Sequence, residues 1–193
     1  ILMNIKNINN ILNHITSVKN GTDKKRGICF LIGAGADISS GGILFRELKI
    51  RFLKENGCIV PSNVSDKILD EQFEKQIDKM SQNGRCETLD KVMKRYKAPS
   101  EGYSLLVMLA ELGYIDAVIT TNFDYLLEQT QQSLNLSPFT IFTPGSAVPE
   151  EYYQRCSKTS PIYLKMHGDL STRLVTHLTQ NEIQNKQLSL IHI

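Results

Sequence analysis

Near its beginning the chain reads Lys24-Lys25-Arg26-Gly27-Ile28-Cys29-Phe30-Leu31-Ile32-Gly33-Ala34-Gly35-Ala36-Asp37. The apolar run from Ile28 to Ile32, with glycine on both sides, predicts a buried strand of a parallel sheet. Gly33-Ala34-Gly35 predicts a tight turn that brings the backbone close to a ligand. Where such a turn opens a helix, free N–H groups and the helix dipole bind anions, and a nucleotide phosphate is the natural occupant.

Polar residues after this turn are expected to cap the next helix, namely Asp37, Ser39 and Ser40. The match to the dinucleotide fingerprint is partial, because G-x-G-x-x-G needs glycine where Ile38 stands. Glu55 lies at the spacing of a ribose-binding acid but belongs to a charge-rich helix. A plain β-to-α turn therefore stays open as the alternative to a phosphate site.

Composition limits the function classes. With 193 residues, of which 41% are hydrophobic, the chain can bury one sizeable core as a single domain. A net charge of +2 gives no direct signal for nucleic acid. The four cysteines form no C-x-x-C pair, so no metal is expected, and Cys29 is interpreted as a small core residue. No stretch resembles a signal peptide or a membrane span, which predicts a cytoplasmic protein without a membrane partner.

The two ends of the chain are unusual. Met3 follows two residues that look foreign to a natural start. Residues 188–193 coincide with one reading frame of a common sequencing adapter, so they are expected to be an artefact and the natural protein to continue. An ordinary apolar strand is the alternative. The predicted domain therefore spans residues 1–187.

Hydrophobic periodicity predicts a series of helices. The first, over residues 4–18, packs on the sheet or forms a subunit interface. A helix beginning near Leu44 is expected to stop at Gly57. Two further helices, the first closing near Asn83-Gly84 and the second ending before Pro99, are interpreted as a helical insertion over about 58–98 that covers the site.

The second half of the chain alternates helices and strands. Ser100 is expected to cap a helix whose apolar positions are Leu105, Met108, Leu109 and Leu112. Strands are predicted over 115–120, 139–142 and 162–166, and a capping box at 179–182 opens a last helix. The predicted fold is α/β, a Rossmann-like parallel sheet with helices on both faces and a helical insertion, incomplete at the C-terminus.

Three predicted strand ends carry polar or glycine-rich motifs: Gly33-Ala34-Gly35, Thr121-Asn122-Phe123-Asp124 and His167-Gly168-Asp169. The carboxyl ends of parallel strands meet at one edge of a sheet, where open α/β folds bind ligands. Each motif also has a simpler explanation. Asn122 and Asp124 could merely cap the following helix, and His167 could be an ordinary turn residue.

Together these motifs resemble the sirtuins and the wider sirtuin-like group. Gly33-Ala34-Gly35-Ala36 with Ser39 and Phe45-Arg46 is similar to their phosphate and ribose loop. The Thr121–Asp124 motif resembles their Thr-Gln-Asn-Ile-Asp motif, and His167-Gly168 resembles their catalytic His-Gly. The resemblance runs from about residue 27 to residue 182.

The departures from the family pattern narrow the resemblance. Sirtuin deacylases carry a zinc ribbon of paired Cys-x-x-Cys motifs, which this sequence lacks. Ile43-Leu44 stands where their loop has Pro-Asp, and a later Gly-x-Ser loop is missing. The Thr-Thr-Asn-Phe-Asp form and the helical insertion look more like bacterial anti-phage sirtuin-like domains, which hydrolyse NAD.

The resemblance implies cleavage of the bond between nicotinamide and ribose, with NAD as the substrate. The leaving group is a neutral pyridine, so the site must mainly stabilise an oxocarbenium-like centre and hold a nucleophile. Asn122 would hold water or a ribose hydroxyl, and Asp124 would orient Asn122 or ribose. His167 would act as the base, since an imidazole exchanges protons near neutral pH.

The same resemblance assigns the binding residues. Gly33, Ala34, Gly35, Ala36 and Asp37 would take the pyrophosphate on backbone amides, with Ser39 and Thr121 completing the NAD site. Arg46 would add a cation or cover the nicotinamide pocket, and a surface salt bridge is its alternative. Phe45 would pack on nicotinamide, with core packing as its alternative.

The predicted function is therefore NAD glycohydrolase, acting as an anti-phage effector. By resemblance, a homo-oligomer or a partner ATPase or sensor is expected. Two alternatives remain open: an NAD-dependent protein deacylase, and a non-catalytic module that senses NAD or ADP-ribose.

Overall fold

The computed structural model describes residues 28–93, 98–143, 160–175, 178–179 and 182. The predicted helix over 4–18, most of the last helix and the tail 188–193 lie outside these residues. The predicted domain limits therefore stay predictions.

Four parallel strands form the main sheet: β1 (Cys29–Ile32), β2 (Ala117–Thr120), β3 (Thr140–Phe142) and β4 (Ile162–Lys165). Their spatial order is β1-β2-β4-β3. A short antiparallel hairpin, β5 (Gly168–Asp169) and β6 (Leu174–Val175), follows β4. Helices flank the sheet, so the prediction of an α/β, Rossmann-like fold is confirmed.

A 3₁₀ helix, Ala34–Ser40, comes directly after β1. Five α-helices follow: α1 (Phe45–Glu55), α2 (Asp66–Asp78), α3 (Gln82–Met93), α4 (Glu101–Glu111) and α5 (Leu126–Leu134). The α1 helix ends at Asn56, and Gly57 takes a positive φ of 75°, as predicted for its C-terminal stop.

The prediction that β1 is buried is wrong. Among the described residues β1 pairs only with β2, so it lies at the edge of the sheet. Cys29 is exposed rather than part of the core, and Leu31 is 76% exposed. An apolar run alone does not distinguish a central strand from an edge strand, because only the pairing partners make that difference.

One core lies between the sheet and the helices α4 and α5. It contains Tyr103, Val107, Val118, Leu126 and Tyr163. The predicted helix is present as α4, but its apolar residues Leu105 and Met108 are exposed, as is Leu112 just after it. The helix is apolar on most sides, so periodicity could not select the face that packs on the sheet.

The second core joins α1, α2 and α3 to the β5–β6 hairpin through buried residues that include Phe52, Phe73, Leu89 and Val175. The predicted helix boundary at Asn83-Gly84 is wrong, because both residues lie in the first turn of α3. The amide of Gly84 donates to Ser81 Oγ at 3.2 Å, so a serine upstream supplies the cap.

Candidate active site at the carboxyl edge of the sheet

The register of the sheet aligns three strand ends. Ile32 is the partner of Thr120, and Thr120 is the partner of Lys165. The residues that follow these three positions therefore leave the sheet side by side. As predicted from the order of the motifs, the segments after β1, β2 and β4 meet at one edge.

A cavity of about 510 Å³ opens at this edge, within the size range of small-molecule sites. Its polar lining consists of Asp37, Lys49, Asp70, Glu74, Thr121, Asn122, Asp124 and His167. Its apolar lining consists of Ala34, Ile43, Leu44, Phe45, Leu48, Phe73, Met93, Phe123 and Leu178. The helices α1 to α3 therefore contribute one wall and the strand ends contribute the other.

Seven of the predicted site residues line this cavity, and these are Ala34, Asp37, Phe45, Thr121, Asn122, Asp124 and His167. Five others do not belong to the lining that the described residues form, and these are Gly33, Gly35, Ala36, Ser39 and Arg46. Their roles stay predictions.

The glycine turn after β1 packs against the end of β2. A Cβ on Gly33 would stand 3.3 Å from Thr121 Oγ1, so a larger residue would crowd that side chain. The amide of Ala36 donates to the carbonyl of Gly33 at 2.9 Å. At Gly35, by contrast, no heavy atom lies within 4 Å of an added Cβ.

The prediction that Asp37, Ser39 and Ser40 cap a helix is wrong. The N-cap positions of the 3₁₀ helix and of α1 are Gly33 and Leu44, and neither residue caps the first-turn amides with its side chain. Ser40 is buried and its Oγ accepts the amide of Ser100 instead. Asp37 is needed inside the fold, because its carboxylate accepts hydrogen bonds from two distant elements.

Asp37 is 1% exposed and bonds to Tyr103 and Asn122. The hydroxyl of Tyr103 donates to Asp37 Oδ1. The side-chain amide of Asn122 donates to both oxygens, at 3.1 Å to Oδ1 and 3.0 Å to Oδ2. Tyr103 could not be predicted as a partner of Asp37, because no charge or spacing on α4 points to the glycine turn after β1.

Asp124 serves two purposes. Its Oδ1 accepts the amide of Leu126 at 2.9 Å, which is the capping role that the sequence left open. The same carboxyl is 2% exposed, lines the cavity and lies beside Asp37. Burial, followed by the charge of Asp37, raises the pKa of Asp124 to about 7. Protonation of Asp124 removes the repulsion between the two neighbouring carboxylates.

Lys165, at the end of β4, lies outside the described lining of the cavity but contacts Asp124, and it was not predicted from the sequence. It is fully buried, and its Nζ lies 2.5 Å from the carbonyl oxygen of Asp124 and 2.5 Å from Glu128 Oε1. It also lies 3.2 Å from Asp169 Oδ1. A lysine inside an apolar strand, two residues before the His-Gly pair, was the signal that could have identified it.

His167 is half-buried in the turn between β4 and β5 and lines the cavity. The next residue, Gly168, has a φ of 88°, and an added Cβ would stand 1.9 Å from the carbonyl oxygen of Leu174. Glycine is therefore required there to let the hairpin fold back. Asp169 is buried, and its Oδ1 accepts the amide of Ser171 at 2.8 Å.

The start of α1 carries two predicted ligand contacts. Phe45 lines the cavity edge-to-face with Phe73, at 5.9 Å between ring centroids, and is 43% exposed. Arg46 points elsewhere: its Nε lies 2.7 Å from Asp66 Oδ1, and Nη2 donates to the carbonyl of Val64 at 2.9 Å. Among the described lining residues Lys49 is the lysine, and it pairs with Asp70.

In the described part of the chain, no group of three or more histidine, cysteine, aspartate or glutamate side chains is arranged to bind a metal ion. No helix in that part combines the length and apolar character needed to cross a membrane.

The geometry defines an α/β protein with a ligand cavity at the carboxyl edge of a parallel sheet. Residues 116–189 match a family model described as a SIR2-like domain, and this segment contains Asn122, Asp124 and His167. The match supports a relation to the sirtuin-like superfamily, whose domains use NAD and are generally NAD-dependent enzymes. No curated protein matches the chain.

Proposed function

We propose that the protein is an NAD glycohydrolase, which cleaves NAD to nicotinamide and ADP-ribose. One observation carries the proposal: Asn122, Asp124 and His167 line the same cavity as Ala34 of the glycine turn. A match to a SIR2-like domain over the segment that holds all three polar residues supports it.

In this proposal the pyrophosphate lies along the turn at Ala34. Gly35 leaves space for it, because nothing lies within 4 Å of the place where a Cβ would stand. The nicotinamide ring packs towards Phe45 and the apolar wall of the cavity. The ribose between them then lies over Asn122 and the carboxyl pair Asp37–Asp124.

The proposed reaction breaks one carbon–nitrogen bond, forms one carbon–oxygen bond and transfers one proton. The water oxygen bonds to the anomeric carbon as the bond from that carbon to the pyridinium nitrogen breaks. Nicotinamide leaves neutral, and the proton of the water passes to His167. The negative charge of the buried Asp37–Asp124 pair stabilises the positive charge that develops on the ribose ring.

The first test is nicotinamide release from NAD by the full chain, without any acylated peptide. Release is expected from the wild type and is expected to fall at least a hundredfold in Asn122→Ala and His167→Ala. Asn56→Ala is the matched control, because Asn56 bonds to the carbonyl of Phe52 at the end of α1, outside the cavity lining. It should retain full activity.

Other outcomes would replace the proposal. Release that requires an acylated peptide would indicate a deacylase, and NAD binding without release would indicate a sensor. Full release by both site variants would show that the chemistry occurs elsewhere.

We further propose that the chain acts as a bacterial anti-phage effector, within a homo-oligomer or with a partner ATPase or sensor. The Thr-Thr-Asn-Phe-Asp motif beside a helical module supports this reading. The test is cellular NAD after phage infection. It should fall in cells that carry the wild type and stay level in cells that carry His167→Ala.

A further inference from the structure

The carboxylate of Asp37 lies next to the side-chain amide of Asn122 and can fix the orientation of that amide. It is buried, and its oxygens accept hydrogen bonds from the hydroxyl of Tyr103 and from the side-chain amide of Asn122. A carboxylate oxygen is an acceptor, so only the NH₂ group of Asn122 can face it. The reverse orientation would set the amide oxygen of Asn122 against a negative charge.

Fixing the NH₂ group also fixes the other end of the amide. In the described part of the chain no donor bonds to Oδ1 of Asn122, while the residue lines the cavity. The backbone amide of Asn122 donates to Thr120 Oγ1 at 2.9 Å, which holds the start of the loop. The side chain therefore offers the cavity a hydrogen-bond acceptor.

We propose that Asp37, held by the hydroxyl of Tyr103, is a positioning residue that keeps the carbonyl oxygen of Asn122 turned into the cavity. The site is then built to accept a hydrogen bond from an O–H group, which is either a ribose hydroxyl of the bound ligand or the attacking water. Tyr103 comes from α4 and Asn122 from the end of β2, so Asp37 links these two elements to the glycine turn.

Asp124 completes the arrangement. Its neighbouring carboxyl would repel Asp37 if both were ionised, and burial with the charge of Asp37 raises the pKa of Asp124 to about 7. A protonated Asp124 removes that repulsion, while the hydroxyl of Tyr103 and the side-chain amide of Asn122 face the carboxylate of Asp37. Other titratable groups that interact with Asp124 in the described part of the chain are Tyr103, Tyr125, Tyr163 and Lys165.

The turnover test compares three variants. Asp37→Ala frees the amide of Asn122 to turn, and we expect activity to fall about 10- to 100-fold, the range of a lost hydrogen bond to a charged group. Asp37→Asn keeps one acceptor oxygen and should recover much of that loss. Tyr103→Phe leaves the Asp37–Asn122 contact in place and should lose only about 3- to 10-fold.

The kinetic parameter that changes identifies the O–H group. If the oxygen of Asn122 accepts from a ribose hydroxyl, Asp37→Ala weakens the binding of ADP-ribose and NAD together. If it accepts from water, binding is unchanged and kcat falls. Thr130→Val is the control for folding, because it removes a buried hydroxyl that bonds within α5 to Leu126, and it should change neither parameter.

The turnover test rests on the proposed function. A second readout, by NMR, observes the Asn122 amide directly and does not depend on that function. The two side-chain amide protons of Asn122 should give distinct, slowly exchanging NMR signals in the wild type and lose this protection in Asp37→Ala. Protected signals without nicotinamide release would overturn the proposed function alone. Unchanged signals and unchanged kinetics in Asp37→Ala would overturn the positioning role.

Discussion

The ammonium of Lys165 lies 3.2 Å from Oδ1 of Asp169, and both side chains are buried. The same ammonium contacts the carbonyl oxygen of Asp124 and the carboxylate of Glu128. One cation therefore ties the end of β4, the loop after β2 and the helix α5 together. The two loops that carry Asn122 and His167 are held in place by this contact.

We expect Lys165→Met to lower the free energy of unfolding by about 3–5 kcal/mol, because it leaves Asp169 buried without its cation. Urea denaturation measures the loss. The double variant Lys165→Met/Asp169→Asn should lose clearly less than the sum of the two single variants, since Asp169 no longer leaves an unpaired buried charge and only Glu128 does.

Lys91→Met provides the comparison for that measurement. Lys91 pairs with Glu55 at 3.6 Å, and both side chains are about half exposed. A solvated pair of this kind contributes about 0–1 kcal/mol. An equal loss of unfolding free energy in Lys91→Met and Lys165→Met would show that burial does not make the Lys165 ion pairs contribute more than an exposed pair.

Gly168→Ala should destabilise the hairpin that follows the histidine. The positive φ costs about 1–2 kcal/mol for alanine, and the clash with the carbonyl of Leu174 adds a cost of about 1–3 kcal/mol. Gly113→Ala has a similar φ of 72° but no heavy atom within 4 Å of the new Cβ. Gly113→Ala should therefore lose only the cost of the positive φ, about 1–2 kcal/mol. Equal losses in Gly168→Ala and Gly113→Ala would argue against a contribution from the clash.

The free energy of unfolding should depend on pH through Asp124. Its pKa is raised to about 7 in the folded protein, against about 3.9 in an unfolded chain, so the folded state binds more protons between these values. Stability should therefore fall as the pH rises from about 4 to about 7. Burial also raises the pKa of Glu128, which acts in the same direction.

The variant Asp124→Asn separates the contribution of Asp124 to this pH dependence from that of Glu128. The amide keeps an oxygen for the amide of Leu126 and places an NH₂ group towards Asp37, as the protonated acid does. The variant should match the wild type near pH 4, exceed it near pH 8 and show a smaller slope between them. An unchanged slope in urea titrations would remove Asp124 from the explanation.

Neighbouring residues at the start of α1 should differ in their effect on NAD binding. Phe45→Ala removes a ring from the cavity lining and should raise KM about tenfold while costing about 1 kcal/mol of stability, because the ring is 43% exposed. Arg46→Met breaks an ion pair with Asp66 outside the lining and should leave KM within about twofold. A large rise in KM for Arg46→Met would restore the predicted cation role.

The strand ends and the order of their motifs could be predicted, because apolar β-branched runs and glycine turns are local signals. The roles of individual polar residues could not. Asp37 looked like a helix cap, since aspartate commonly caps, but its partners lie on α4 and after β2. Tyr103 and Lys165 were missed because their partners are likewise distant in sequence.

The wrong predictions at α3 and β1 have other causes. Asn83-Gly84 is a common turn signal, but in the first turn of α3 it costs little, and the cap from Ser81 outweighs it. Cys29 and Leu31 read as core residues because the sequence does not report which strands pair with β1. The local sequence pattern thus predicts that a helix or strand forms, but it does not predict which other elements pack against it.

The order of the strands has a consequence for synthesis on the ribosome. The amide of Ile28 bonds to Asp116, 88 residues later, and Asp37 bonds to Asn122 across 85 residues. At about 5–20 residues per second, the first strand waits roughly 4–18 s before its neighbour is made. During that interval Phe30 and Ile32 lack the core against which they later pack, so we expect the nascent chain to bind chaperones at this stage.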